Sequence, residues 1–285
     1  MGEIVVEHAI VPANGERFYV ASAGPASGPP VLLLHGFPEM SYGWRHQLAP
    51  LGAAGLRAIA PDQRGYGLST KPQGPAAYTL DVLAADIVAL ARQLGHSSVR
   101  LVGHDWGGLV AWHLATNHPG FVERAAILNA PHPATMLGYL FERPVQAIRS
   151  AYIGFFQLPW LPEALLAAGD FAMLRRALTS TSRPGTFTEA ELTTYREAWT
   201  MEGALTAMLD WYRALPSGPS LGDKRVEVPV RIIWGDRDAA LNAELAERAL
   251  ARCDRGELFH LADATHWLHH EEPARVNELL VEFLR

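Results

Sequence analysis

One ten-residue stretch, 99–108, constrains this chain most: V-R-L-V-G-H-D-W-G-G. Residues 99–102 are a short apolar run, as a buried strand is. Gly103, Gly107 and Gly108 then bracket a tight turn, and an apolar helical pattern follows over 109–115. The glycines are needed because such a turn is strained and its neighbours pack too closely for side chains. The apical residue is held out above the sheet, at the mouth of a pocket. Here that residue is Asp105.

An apical carboxylate sets the chemistry. A serine must lose a proton before it attacks, which occupies its histidine in the first step. A carboxylate is already ionised at pH 7 and attacks without help. It suits displacement at a saturated carbon, which leaves an alkyl ester of the protein. A histidine is then free to activate the water that hydrolyses that ester.

The chain has 285 residues, enough for one α/β domain with an insertion. Its net charge of −6 comes without a basic stripe, so nucleic acid is not an expected partner. Cys253 is the only cysteine, which excludes an intramolecular disulfide and fits a reducing compartment. No basic-flanked apolar leader and no membrane-length apolar run is visible, so a cytoplasmic location without a membrane partner is expected.

Residues 4–11 and 17–23 alternate as an antiparallel pair around Ala13-Asn14-Gly15. Residues 31–34 are continuously apolar, as a strand buried on both faces is. They lead into His35-Gly36-Phe37-Pro38-Glu39, a glycine-containing loop placed to supply half of an oxyanion hole. A helix is expected over 44–51 and a strand over 57–60. The loop that follows suggests an internal ion pair between Arg64 and Asp62. Leu80, Leu83, Ile87, Leu90 and Leu94 recur at helical spacing, and Gly95 stops that helix.

A strand over 122–128 ends at Asn129-Ala130-Pro131-His132-Pro133. From 134 to 221 strand-like runs vanish, and helical segments rich in Ala, Leu and aromatics replace them. The expected division is a core domain of 1–133 and 222–285 with a helical cap at 134–221. Most of Tyr139, Tyr152, Trp160, Tyr195, Trp199, Trp211 and Tyr212 are expected in the core. Strands return at 228–234 and 257–261, with helices at 243–251 and 274–284. Alternation of this kind indicates a mostly parallel sheet covered on both faces.

Sites in such sheets form at the carboxyl ends of the strands. Three strand ends offer Asp105, an acid and a histidine, in that order. Asp238 competes with Asp236 for the second role; Asp238 lies beyond the strand end, whereas Asp236 is placed to cap or to pair with Arg237. His266 sits in the loop after the last strand, with His269 and His270 as competitors. A metal site of His266, His269, His270 and Glu271 matches no H-E-x-x-H spacing.

Taken together, H-G-F-P-E, G-H-D-W-G-G, N-A-P-H-P, W-G-D-R-D and D-A-T-H-W resemble the epoxide hydrolases of the α/β-hydrolase superfamily, over essentially the whole length. The resemblance implies an α/β-hydrolase fold with an inserted cap and two cap tyrosines, matched by Tyr152 in A-Y-I-G-F-F-Q and Tyr212 in D-W-Y-R. It implies a cis peptide before Pro38 and an oxyanion hole from the amides of Phe37 and Trp106. His35, Pro38, Trp106, Tyr152 and Tyr212 are expected at the substrate, with no metal or organic cofactor. The expected partner is a small lipophilic epoxide, and the expected assembly a monomer or homodimer.

The tyrosines also have a chemical reason. Epoxide opening produces an alkoxide, which needs a proton or hydrogen bonds as the C–O bond breaks. A halide needs only donors that hold an anion. A dehalogenase is therefore the main alternative, with Trp106 and a second indole from Trp160, Trp199 or Trp211. Trp106 in place of an arginine argues against a fluoroacetate dehalogenase. A non-catalytic receptor of the same fold is the remaining alternative, against which the Asp, Asp, His set weighs.

Overall fold

The computed structural model describes residues 4–217 and 224–285. Eight strands form one sheet in the order β1-β2-β4-β3-β5-β6-β7-β8. Strands β1 (Val6–Ala13) and β2 (Glu16–Ala23) make an antiparallel hairpin, and β2 runs antiparallel to β4 (Arg57–Pro61). The hairpin turns through Asn14 and Gly15, at φ 49° and 78°, the left-handed pair a two-residue turn requires. All other pairings are parallel, through β3 (Pro30–Leu34), β5 (Val99–His104), β6 (Val122–Leu128), β7 (Val230–Gly235) and β8 (Gly256–Leu261).

Strand β3 shows why its sequence lacks alternation. Val31 and Leu33 face one core layer, Leu32 and Leu34 the other. Helices α1 (Arg45–Ala53) and α11 (Pro273–Leu284) build the first layer. Helices α2 (Leu80–Gln93), α3 (Asp105–Asn117) and α10 (Glu244–Leu250) build the second. Gly95, at φ 89°, follows α2 and ends it.

Between β6 and β7 the chain becomes helical. It runs through α4 (Pro133–Glu142), α5 (Pro144–Arg149), α6 (Ala151–Phe156), α7 (Leu161–Thr179, interrupted over 168–171), α8 (Glu189–Trp199) and α9 (Ala204–Arg213). The expected boundary at 221/222 lies outside the described residues. Helix α8 opens on a capping box of Thr188 and Glu191. Its aromatic tips reach the loop after β3: the Tyr195 hydroxyl donates to Glu39 at 2.6 Å and the Trp199 indole to the Pro38 carbonyl at 2.7 Å. From α9, the Trp211 indole donates to the Arg64 carbonyl at 3.0 Å.

Tyr139, Tyr195, Trp199, Trp211 and Tyr212 are buried, while Tyr152 is 39% exposed and Trp160 73%. Arg64 does not pair with Asp62. It reaches Asp86 of α2 at 2.6 and 2.7 Å and Glu16 at 3.1 Å. Asp62 is taken up by backbone donors, Leu68 N–H of its own loop at 2.9 Å and Ser41 N–H from the segment after β3 at 2.8 Å. Among the described residues no helix is long and apolar enough to cross a membrane.

Candidate active site

Strand β5 delivers Asp105 at φ 50°, the first residue of α3. A non-glycine residue holds this conformation only when its surroundings over-determine it. They do: a Cβ on Gly36 would come 2.4 Å from the Asp105 Cβ, and one on Gly107 would come 2.0 Å from the Leu34 carbonyl. The loop after β3 and the start of α3 therefore pack backbone to backbone around the carboxylate. The Phe37–Pro38 peptide in that loop is cis.

The Phe37 N–H donates to Asp105 Oδ1 at 2.9 Å, and the Trp106 amide next in the chain also favours the charged form of the carboxylate. Two convergent amides beside a carboxyl carbon can hold an oxyanion formed there. Burial raises the Asp105 pKa, while His266 and the two amides oppose that rise.

His266 lies between two carboxylates. Its Nε2 is 3.7 Å from Asp105 Oδ2, and its Nδ1 is 2.7 Å from Asp238 Oδ2. Asp238 is fixed by its own donors: Ala240 and Leu241 N–H on Oδ1 at 2.7 and 2.9 Å, and Asn129 Nδ2 on Oδ2 at 2.6 Å. Burial alone would raise the Asp238 pKa; the imidazole and these donors outweigh it and hold it below the ordinary value. Burial alone would lower the His266 pKa, but Asp238, Asp105 and Glu39 bring it up to about 9.

Asp236 stands apart from this group. It neither pairs with Arg237 nor joins the site: it reaches His260 of β8 at 2.5 Å, and Arg237 pairs with Asp263. His260 pairs in register with Trp234, and Asp236, just past the end of β7, lies two residues on from that partner.

Above Asp105 sits an aromatic group from both halves of the molecule. The Tyr212 ring meets Trp106 at 4.9 Å, Phe156 at 5.0 Å and Phe37 at 5.4 Å, all near perpendicular; Tyr152 meets Tyr212 at 5.9 Å. Tyr152, Tyr212 and Trp106 thus form one continuous ring cluster, with Tyr212 in the middle. Burial first, then the Asp105 charge, raises the Tyr152 pKa; burial, Tyr152 and Asp105 raise that of Tyr212. Both phenols stay neutral O–H donors at neutral pH. Although the Tyr152 residue is partly exposed, its hydroxyl is buried and within the field of Asp105.

His35 is buried at 1% exposure, with Nδ1 3.0 Å from the Gly36 carbonyl and Nε2 accepting the Gln63 N–H at 3.0 Å. Its contacts tie the loop that carries Phe37 to the loop after β4, where the ring also meets Tyr66 at 4.7 Å. Pro38 is buried beside it and offers its carbonyl to Trp199.

Three residues acquire a place that sequence reasoning did not give them. Asn129, at φ 38° after β6, donates to Asp238 and accepts the Gly235 N–H at 2.7 Å. Buried Glu39 receives Tyr195, His270 at 2.8 Å and His269 at 3.2 Å, and lies 3.7 Å from His104. His104 in turn bonds the His266 carbonyl at 2.8 Å. The signals were present, since Glu39 closes a quoted motif and Asn129 opens another, but their partners are remote in sequence. Glu39, His269 and His270 are also the grouping among the described residues whose ligand atoms all lie within 4.8 Å. Those atoms are already hydrogen bonded to one another. Glu271 belongs elsewhere, on Thr265 at 2.7 Å.

A family model described as the alpha/beta hydrolase fold matches residues 29–273. The AB hydrolase superfamily protein YfhM of Bacillus subtilis is 47% identical, covering 96% of both chains. Human epoxide hydrolase 4 is 37% identical over 95% of this chain and 76% of its own. The crystal structure of the Bacillus megaterium epoxide hydrolase with an inhibitor superposes with a TM-score of 0.88 at 31% identity, covering 97% of this chain and 99% of that one. By sequence and by fold, the chain belongs to the α/β-hydrolase family and groups there with the epoxide hydrolases.

Proposed function

We propose that this protein hydrolyses a lipophilic epoxide to a vicinal diol through an ester on Asp105. The observation that carries the reading is the Asp105 carboxylate acting electrostatically on two neutral phenols, Tyr152 and Tyr212, which pack ring to ring beside Trp106, the residue next to it. One Asp105 carboxylate oxygen attacks an epoxide carbon, and the C–O bond of the ring breaks. Tyr152 and Tyr212 hold the departing oxygen, and a phenol proton passes to it to give the hydroxyl of the ester intermediate.

The second half needs a base. Esterification removes the Asp105 charge, one of the three that raise the His266 pKa. The imidazolium can then return its proton to the phenolate left by ring opening; the neutral imidazole takes one from water and passes it to the diol oxygen as the ester collapses. That water adds to the ester carbonyl, and the amides of Phe37 and Trp106 hold the oxyanion. Collapse frees the diol, which carries an oxygen from Asp105, and restores the carboxylate with an oxygen from water. Asp238 orients His266 and stabilises its cation. Residues 134–221 serve as the cap that brings the two phenols to the core and keeps water out.

Dehalogenation is the weaker reading because no second indole joins Trp106. Trp199 and Trp211 donate to the Pro38 and Arg64 carbonyls, and Trp160 is 73% exposed. A panel of styrene-type, terminal aliphatic and fatty-acid epoxides, run beside chloro- and bromoalkanes, tests the choice. Diol formation without halide release is expected. Halide release with no diol from any epoxide would replace this reading with the other, and a ligand recovered unchanged would favour a receptor.

A further inference from the structure

Helix α6, which carries Tyr152, has six residues. A helix this short has no stability of its own, so tertiary anchors set its position. The carbonyls of Ile153, Gly154 and Phe155 accept from Gln157 and Leu158, which leaves the final one, of Phe156, and that of Leu158 just beyond the helix. One side chain takes both. Arg213, the residue after Tyr212, donates from Nε to the Phe156 carbonyl at 3.0 Å and from Nη2 to the Leu158 carbonyl at 2.7 Å. Its other donors reach Glu163 at 2.7 and 3.0 Å and Asp210 at 3.3 Å, so every N–H of the fork has an acceptor.

A second bond runs the opposite way. Gln157 Nε2, at the end of α6, donates to the Tyr212 carbonyl at 2.9 Å. Helices α6 and α9 are thus tied twice within one residue of Tyr212. Phe156, held through its carbonyl, stacks edge-on against both Tyr152 at 5.5 Å and Tyr212 at 5.0 Å. We propose that Arg213 is a positioning residue that sets the separation of the two phenol groups by clamping the end of α6 onto α9. It touches no reacting atom, and the proposal rests on the reading of Tyr152 and Tyr212 as the donors to the epoxide oxygen.

A planar fork that bridges two carbonyls and a carboxylate has no substitute in an ammonium, which can reach one acceptor well. Displacing a donor by about 1 Å costs on the order of 100-fold in the step it serves. The clamp serves only ring opening, since ester hydrolysis uses His266, Asp238 and two amides from other elements.

The test is single-turnover kinetics with excess enzyme and styrene oxide, resolving ester formation from ester decay, on wild type, Arg213→Lys, Arg213→Gln and the Tyr152→Phe/Tyr212→Phe double variant. Thermal unfolding of each variant accompanies the kinetics. Arg213→Gln should slow ester formation by about 10- to 100-fold while ester decay stays within about twofold. Arg213→Lys should fall between Gln and wild type. Equal ester-formation rates in Arg213→Lys and wild type, or parallel losses in both steps, would overturn the clamp. If the double tyrosine variant forms ester at the wild-type rate, the donor reading fails instead. If it is slow while both Arg213 variants are fast, the clamp alone fails.

Discussion

Nε2 of His266 stands 3.7 Å from Oδ2 of Asp105, beyond hydrogen-bond reach but close enough for the carboxylate to hold a proton on the imidazole. The same distance makes the histidine sensitive to whether Asp105 is charged.

Asp105→Asn should therefore lower the His266 pKa from about 9, because a neutral amide replaces a nearby negative charge. The amide imitates the charge state of the ester. A histidine-resolved NMR titration of the two proteins measures the shift; coincident midpoints would remove the proposed trigger for the second half-reaction. Ester decay should slow as pH falls through the lowered value, where the imidazole becomes protonated and loses its capacity as a base.

Tyr152→Phe and Tyr212→Phe should each slow ester formation by about 100-fold, the low end of the roughly 10²–10⁴ that a general acid supplies, because the other phenol remains. Stopped-flow traces with styrene oxide report that step. Ester decay should be unchanged, because neither phenol contributes to the oxyanion site.

Asn129→Leu should destabilise the fold by about 1–3 kcal/mol, since it leaves the buried Gly235 N–H without its acceptor and Asp238 without one donor. Urea unfolding measures the loss. Ester decay should slow in the same variant, because Asp238 then has less support beneath His266.

Stability should be greatest near pH 6.5. Burial, with the neighbouring His269, lowers His270 to about 3, and burial lowers His132 to about 4. Below about pH 6.5 each binds a proton only when the chain unfolds, so stability falls with pH by about 1.4 kcal/mol per unit for each. His266 acts in the opposite sense. Its folded value, about 9, exceeds the unfolded one, so its contribution is complete below about pH 6.5 and is lost as pH rises through 9. Denaturant midpoints from pH 5 to 9 should trace a dome; a flat profile would contradict the burial of these histidines in their neutral and charged forms.

The parts legible in the sequence are those whose cause is local. Asn14-Gly15 can turn a hairpin by itself, residues 31–34 can only be a strand covered twice, and the glycines around Asp105 announce a backbone approach that the Gly36 and Gly107 contacts display. Positions of Asp238 and His266 at strand ends follow from alternation alone. Partnerships decided by topology were not legible. Arg64 sits two residues from Asp62 yet pairs with Asp86, because α2 passes over that loop. Glu39 meets His269 and His270 across 230 and 231 positions. Arg213 reads as an ordinary helix-end cation until α6 is seen to end against it.

The covalent step on Asp105 is tested most directly by one turnover in heavy-oxygen water with enzyme in excess of epoxide. Mass spectrometry should find the first diol free of the label and the Asp105 peptide heavier by one labelled oxygen. A first diol carrying the solvent label, with an unlabelled Asp105, would show that water attacks the epoxide directly and would contradict the account.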